Sequence, residues 1–263
     1  MQKLITGERG VMKIFIKKYW KTLVFFLLSG LIGGFFTGLY TLDIYPPEIQ
    51  QEILSQGINS TTLAIASAIQ AAVYGLILGA LGIFLGKKTG LWKDESTFTK
   101  KPLIAALIVS LLGGMVLILP DLLFFGKYSE VIMDSYAAKP NFIYIIAAVI
   151  YGGVIEEVML RLFMMTLAAF ILHIIFERKK QEYSKGILTT ANIIAALLFA
   201  AGHLPATAAM MELTPMIIFR CFLLNGGFGL LFGRLYRKYG LRYSMLAHAG
   251  CHIVSKLIWI LFV

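Results

Sequence analysis

The chain has 263 residues, of which 59% are hydrophobic and 14% charged, and its formal net charge is +10. A soluble domain is nearer half apolar and a quarter charged. The composition therefore excludes a water-soluble globular protein and predicts an all-α polytopic membrane bundle of about seven to eight transmembrane helices, with 1–263 forming a single integral-membrane domain. The excess positive charge does not point to nucleic acid, because the basic residues sit in short loops between apolar runs rather than on a soluble module.

In chain order, residues 1–20 carry Lys3, Arg9, Lys13, Lys17 and Lys18 and read as a basic interfacial segment. The run that follows is too long for a cleaved signal peptide, so a retained first span is expected over 21–42. It holds Gly30, Gly34 and Gly38 at four-residue spacing, which lets a second helix approach closely. Pro46-Pro47 can start a short amphipathic helix. A second span over 62–86 repeats the glycine spacing at Gly75/Gly79 and Gly82/Gly86. The third, over 103–119, stops near Pro120-Asp121. The apolar run 142–176 would be about 52 Å long as one helix, well over the hydrocarbon thickness of about 30 Å. It is therefore either one long tilted helix or two with a break. Further spans are predicted over 187–205, 214–235 and 243–263.

Basic residues crowd the N-terminus and the loops 87–101, 178–185 and 234–242, whereas the opposite loops hold only Lys127 and Lys139. This asymmetry predicts a cytoplasmic N-terminus. The source expected from compactness and the absence of sorting features is a bacterial plasma membrane. Cys221 and Cys251 both lie in apolar runs, with no CxxC pair and no disulfide framework.

Polar residues inside the apolar runs mark the functional candidates, because a charge at membrane depth costs a few kcal/mol. The stretch Gly152-Gly153-Val154-Ile155-Glu156-Glu157-Val158-Met159-Leu160-Arg161 carries two carboxylates and a guanidinium. Helical spacing puts Glu157 and Arg161 on one face as a structural ion pair. Glu156 is turned about 100° away and lacks a partner in its own helix. His203, and His248 with His252 four residues later, are the other polar groups in spans. Glu156, His203, His248 and His252 form the candidate catalytic set: a carboxylate to take a proton from water, and imidazoles to hold that water or stabilise an oxyanion.

Straight spans would leave His203 and His248 on the order of 15 Å apart along the membrane normal at about 1.5 Å per residue. A fifth helix with a polar cytoplasmic extension over 181–192 that continues past Pro205 would remove that gap. His173, beside Glu177 and Arg178, reads as a membrane-edge residue. Arg220 and Lys256 are expected to snorkel to the outer interface. Asn225-Gly226-Gly227-Phe228-Gly229 reads as close helix packing, since no strand precedes it and no GKS or GKT follows.

Glu156-Glu157-x-x-x-Arg161, Phe199-x-x-x-His203 and His248 in a last polar motif, together over roughly 145–255, resemble the CPBP intramembrane proteases. That family includes type II CAAX prenyl endopeptidases and bacteriocin-processing and self-immunity proteins. The resemblance implies a protease-like core over 142–255 and hydrolysis of a peptide bond in a membrane-associated substrate, prenylated or leader-type. Glu156 would activate water with help from His203, and His248 and His252 would stabilise the oxyanion. Glu157, Arg161, Phe199 and Asn225 would support them. Where the family commonly has Asn, this chain has His252, whose ring N–H can still donate a hydrogen bond. No cofactor is expected; the alternative is Zn²⁺ held by Glu156, His203, His248 and His252. The partners expected are membrane lipid and a peptide or protein substrate. Competing readings are a non-catalytic scaffold or immunity protein and a proton-coupled transporter, the latter weakened by the lack of an internal repeat.

Overall fold

The computed structural model describes residues 2–94 and 97–263, with residues 2–12 as backbone alone, so the side chains of Lys3 and Arg9 lie outside the described residues. Among the described residues the structure is helical, with no strand. Seven helical segments among these residues are long and apolar enough to cross a membrane. The principal helices are α1 (Gln2–Thr41), α2 (Ser60–Thr89), α3 (Lys100–Val116), α4 (Phe142–Phe176), α5 (Lys185–Met210), α6 (Pro215–Tyr239) and α7 (Leu241–Phe262).

Local sequence signals account for several boundaries. The basic N-terminal segment and the first span are one continuous helix of 40 residues. The short helix Pro47–Ser55 has proline in its first turn, where the missing N–H costs nothing. Asn59 caps α2 by accepting from the Thr62 N–H at 3.0 Å, and Gly90, at φ 72°, ends it. Helix α3 stops at Val116, and Pro120 opens a short separate helix, Leu119–Leu123.

Glycines set how closely the helices pack. On α1, a Cβ at Gly30, Gly34 or Gly38 would lie within 2.4 Å of backbone oxygens on α2, so only glycine permits this approach. Helix α4 is the centre of the bundle and touches α1, α2, α5, α6 and α7, while α3 packs along α7. A buried cluster of Phe26, Ile83, Val158, Leu162, Met165, Ala195 and Tyr236 joins α4 to four of these neighbours. At one end of the bundle, Lys18, Tyr19 and Trp92 converge on Asp94, and Lys93 Nζ donates to the Lys238 carbonyl at 2.5 Å. At the other end, Arg220 donates to Asp121 at 2.6 Å and Tyr136 to the same carboxylate at 3.0 Å.

The long run 142–176 forms a single helix with no break. Its ladder widens into π-helical turns over Ala148–Glu156 and Val158–Met165, the stretch that contains the paired carboxylates. π turns are rare and gather at functional sites.

Candidate active site

Helices α4 and α7 meet at Gly152 and Gly153. A Cβ on Gly153 would lie 2.6 to 3.0 Å from Ala249, backbone included, and one on Gly152 would lie 2.7 Å from His252 Nε2. The absence of side chains at these two positions brings the histidines of α7 against the carboxylates of α4.

His248 sits between the two glutamates. Its Nδ1 is 2.9 Å from Glu157 Oε1, and its Nε2 is 3.8 Å from Glu156 Oε2. Glu157 is fully buried and acceptor-only as a carboxylate, so the Nδ1 proton is donated to it and the Nε2 face turns to Glu156. The Ser244 hydroxyl donates to the other Glu157 oxygen. At 3.8 Å, Glu156 is beyond hydrogen-bond range of His248, so its lone pairs stay available. Its side chain keeps 19% exposure, against none for Glu157.

The ion pair expected within α4 is present, with Arg161 Nε 3.4 Å from Glu157 Oε1. It is a charge contact, not a hydrogen bond: none of the three Arg161 nitrogens has a hydrogen-bond partner among the described residues. The guanidinium lies against two aromatic rings, 4.5 Å from Phe199 and 5.5 Å from Phe232. Ring faces supply part of the compensation that water would otherwise provide. The same rings position the histidines. Phe232 stacks on His248 at 4.4 Å, and Phe199 contacts His203 at 4.7 Å and His248 at 6.0 Å.

His203 lies on α5, which begins at Lys185 and continues through Pro205, and its ring meets Phe199, which also contacts His248. Its Nδ1 is 2.8 Å from the Phe199 carbonyl, which makes Nδ1 the protonated nitrogen and leaves the Nε2 lone pair free in the neutral ring. His252 stacks on His248 at 5.0 Å, and its Nδ1 is buried with no hydrogen-bond partner among the described residues.

Residues 138–254 match the family model described as Type II CAAX prenyl endopeptidase Rce1-like. That segment is similar to the CAAX protease-like family. No curated protein and no solved structure matches the chain. The matched segment runs from the residues before α4 into α7 and contains all four candidate catalytic residues.

Other sequence expectations fare differently. Asn225 Nδ2 is 3.5 Å from Cys221 Sγ, one turn back on α6. Close packing by α6 occurs at Gly229 and Gly233, against Ala196 and Asn192, and no atom approaches within 4 Å of a Cβ on Gly227. Lys256 does not snorkel. It is 9% exposed, with Nζ 4.6 Å from the Tyr144 ring centroid, because α4 covers that face of α7. Arg220 is held by Asp121 rather than left to the interface. His173 stacks on Tyr183 at 4.0 Å and stays at the end of α4. The zinc alternative gains no support from side-chain placement, since no three His, Cys, Asp or Glu side chains among the described residues converge at ligand spacing. Ser244 and Phe232 had no sequence signal. A serine four residues before His248 gains meaning only once α7 faces Glu157.

Proposed function

We propose that this protein is an intramembrane endopeptidase that hydrolyses a peptide bond of a membrane-associated substrate, prenylated or leader-type, by a glutamate-activated water. The observation that carries this reading is the placement of one imidazole between two carboxylates of opposite character. Glu157 is buried and spent on hydrogen bonds; Glu156 is partly open and not bonded to its neighbour.

In the proposed reaction, water lies between Glu156 and the substrate carbonyl, with His203 Nε2 accepting one of its hydrogens. Glu156 takes the proton as the oxygen–carbon bond forms, and the carbonyl becomes an oxyanion. His248 then serves as a donor only if Nε2 carries a proton, because Nδ1 is already committed to Glu157. A carboxylate on Nδ1 both orients the ring and balances the charge it acquires, the role an acid plays behind a catalytic histidine. His252, stacked on His248, supplies a second ring N–H for the oxyanion. Collapse of the intermediate breaks the carbon–nitrogen bond, and Glu156 returns its proton to the leaving amine. No step uses a metal ion.

The test is cleavage of a membrane-associated peptide by purified Glu156→Gln and His203→Ala. General acid–base groups contribute about 10²- to 10⁴-fold, so losses of at least about 100-fold are expected. Wild-type turnover in both variants would overturn the assignment, and full biological activity of Glu156→Gln would favour a scaffold or immunity role. The basic end of the bundle is assigned to the cytoplasm of a bacterial plasma membrane, which a reporter fused to either terminus checks.

A further inference from the structure

Between α5 and α6, at the basic end of the bundle, lies a groove of about 550 Å³. Its walls combine two chemistries. Arg234, Arg237 and Lys238, from the last turns of α6, line one end, and no carboxylate among the described residues lines the groove. Leu230 and Leu231, 41% and 47% exposed, line the other, on the side towards the apolar span. Thr189 and Asn192 of α5 form the facing wall.

The cations have an ordinary explanation: positive charge gathers on cytoplasmic loops and suits a helix C-terminus. That explanation does not account for the groove. Arg237 Nη1 donates to Thr189 Oγ1 at 2.9 Å, which fixes one guanidinium on its wall. Asn192 packs over Gly233, where a Cβ would collide with it, and donates to the Leu230 carbonyl at 3.1 Å; its Oδ1 is buried without a partner. None of the three cations has a carboxylate partner among the described residues. The result is a polar cleft, open to an anion, with lipid-facing leucines one to two turns into the membrane.

We propose that this groove binds the phosphate headgroup of an anionic phospholipid, with the phosphate on Arg234, Arg237 and Lys238 and the acyl chains along Leu230 and Leu231. Guanidinium forks match phosphate oxygens, and basic pockets between spans at the cytoplasmic face suit such headgroups. The bound lipid would brace the outer side of α6, the helix whose Phe232 stacks on His248.

The experiment uses the full chain in detergent, titrated with short-chain phosphatidylglycerol, phosphatidylcholine of the same acyl length, and inorganic phosphate, with binding read by native mass spectrometry and by the shift in thermal midpoint. Phosphatidylglycerol is expected to bind saturably and at least tenfold more tightly than phosphatidylcholine. The double variant Arg234→Gln/Arg237→Gln is expected to lose at least tenfold for phosphatidylglycerol. Arg234 is exposed, and the conservative pair Arg234→Lys/Arg237→Lys guards against misfolding by retaining part of the affinity. Equal binding of the two lipids, or an unaffected double variant, would overturn the proposal. Inorganic phosphate binding as tightly as the lipid would reassign the groove to a soluble anion.

Discussion

Glu157 carries two jobs that its neighbour does not. It balances Arg161 inside the bundle and hydrogen-bonds His248 and Ser244. Under the proposed mechanism, Glu157→Gln leaves the shape intact but offers His248 an amide in place of a charge. Turnover of a membrane-associated peptide is expected to fall at least about 100-fold, and the thermal midpoint to fall with it, because Arg161 loses its counter-charge. Ser244→Ala removes one hydrogen bond to a charged group, about 1.5–3 kcal/mol, so a fall of about 10- to 100-fold is expected if that bond is fully used in the transition state. A Ser244→Ala loss larger than that of Glu157→Gln would contradict this ordering. Lys256 is a different case. A buried cation that faces a ring and, among the described residues, no carboxylate is a stability cost, and replacing buried charge by an apolar side chain of similar volume is often neutral or stabilising, by about 1–4 kcal/mol. Lys256→Met is expected to keep or raise the thermal midpoint; a clear drop would show that the ammonium has a partner in the membrane.

At the scale of helices, the contact of α4 with α7 controls the site. Gly152 and Gly153 are adjacent, but a side chain at each would meet different atoms: the tip of the His252 ring at Gly152, and Ala249 with its backbone at Gly153. A ring can turn, whereas two backbones must separate. Gly152→Ala is therefore expected to lower activity with little change in stability. Gly153→Val is expected to lower both, by about 1–3 kcal/mol in stability, the usual cost of overpacking. Thermal midpoints measured beside turnover separate the two; equal stability losses would remove the distinction. The π turns matter at this same scale. They shift the azimuth of everything beyond them, so a period of 3.6 residues reads the carboxylates as separated but not which helix each one meets.

Across the whole molecule, the basic end is tied together by Asp94, which receives hydrogen bonds from Lys18 of α1, from Tyr19 and from Trp92. Burial pushes the Asp94 carboxyl up, but these hydrogen bonds outweigh it and hold the group below its ordinary value of about 3.9. A depressed folded value means that the tie contributes stability above about pH 3.9 and loses it as pH falls through the folded value. The side chain is 44% exposed, so the effect is that of a screened surface pair, about 0–1 kcal/mol. The thermal midpoint in detergent is expected to fall more steeply with acid in the wild type than in Asp94→Asn. Parallel curves would show that the tie contributes nothing.

Span number, the basic and non-basic ends, and the membership of Glu156, His203 and His248 in one region were legible from residues alone. Hydropathy and charge bias are properties of a single stretch of chain, and a polar group in an apolar run stands out without knowledge of its neighbours. The glycine spacing of Gly30, Gly34 and Gly38 belongs with these, because a missing side chain allows close approach whatever helix arrives. The tertiary structure alone decided that Glu157 meets His248 and Ser244, that Phe199 and Phe232 flank Arg161, and that Lys256 is covered by Tyr144. Each of these depends on the azimuth and depth at which two helices pack. Those quantities are set by contacts between distant parts of the chain, and at α4 by π turns that no local period reveals.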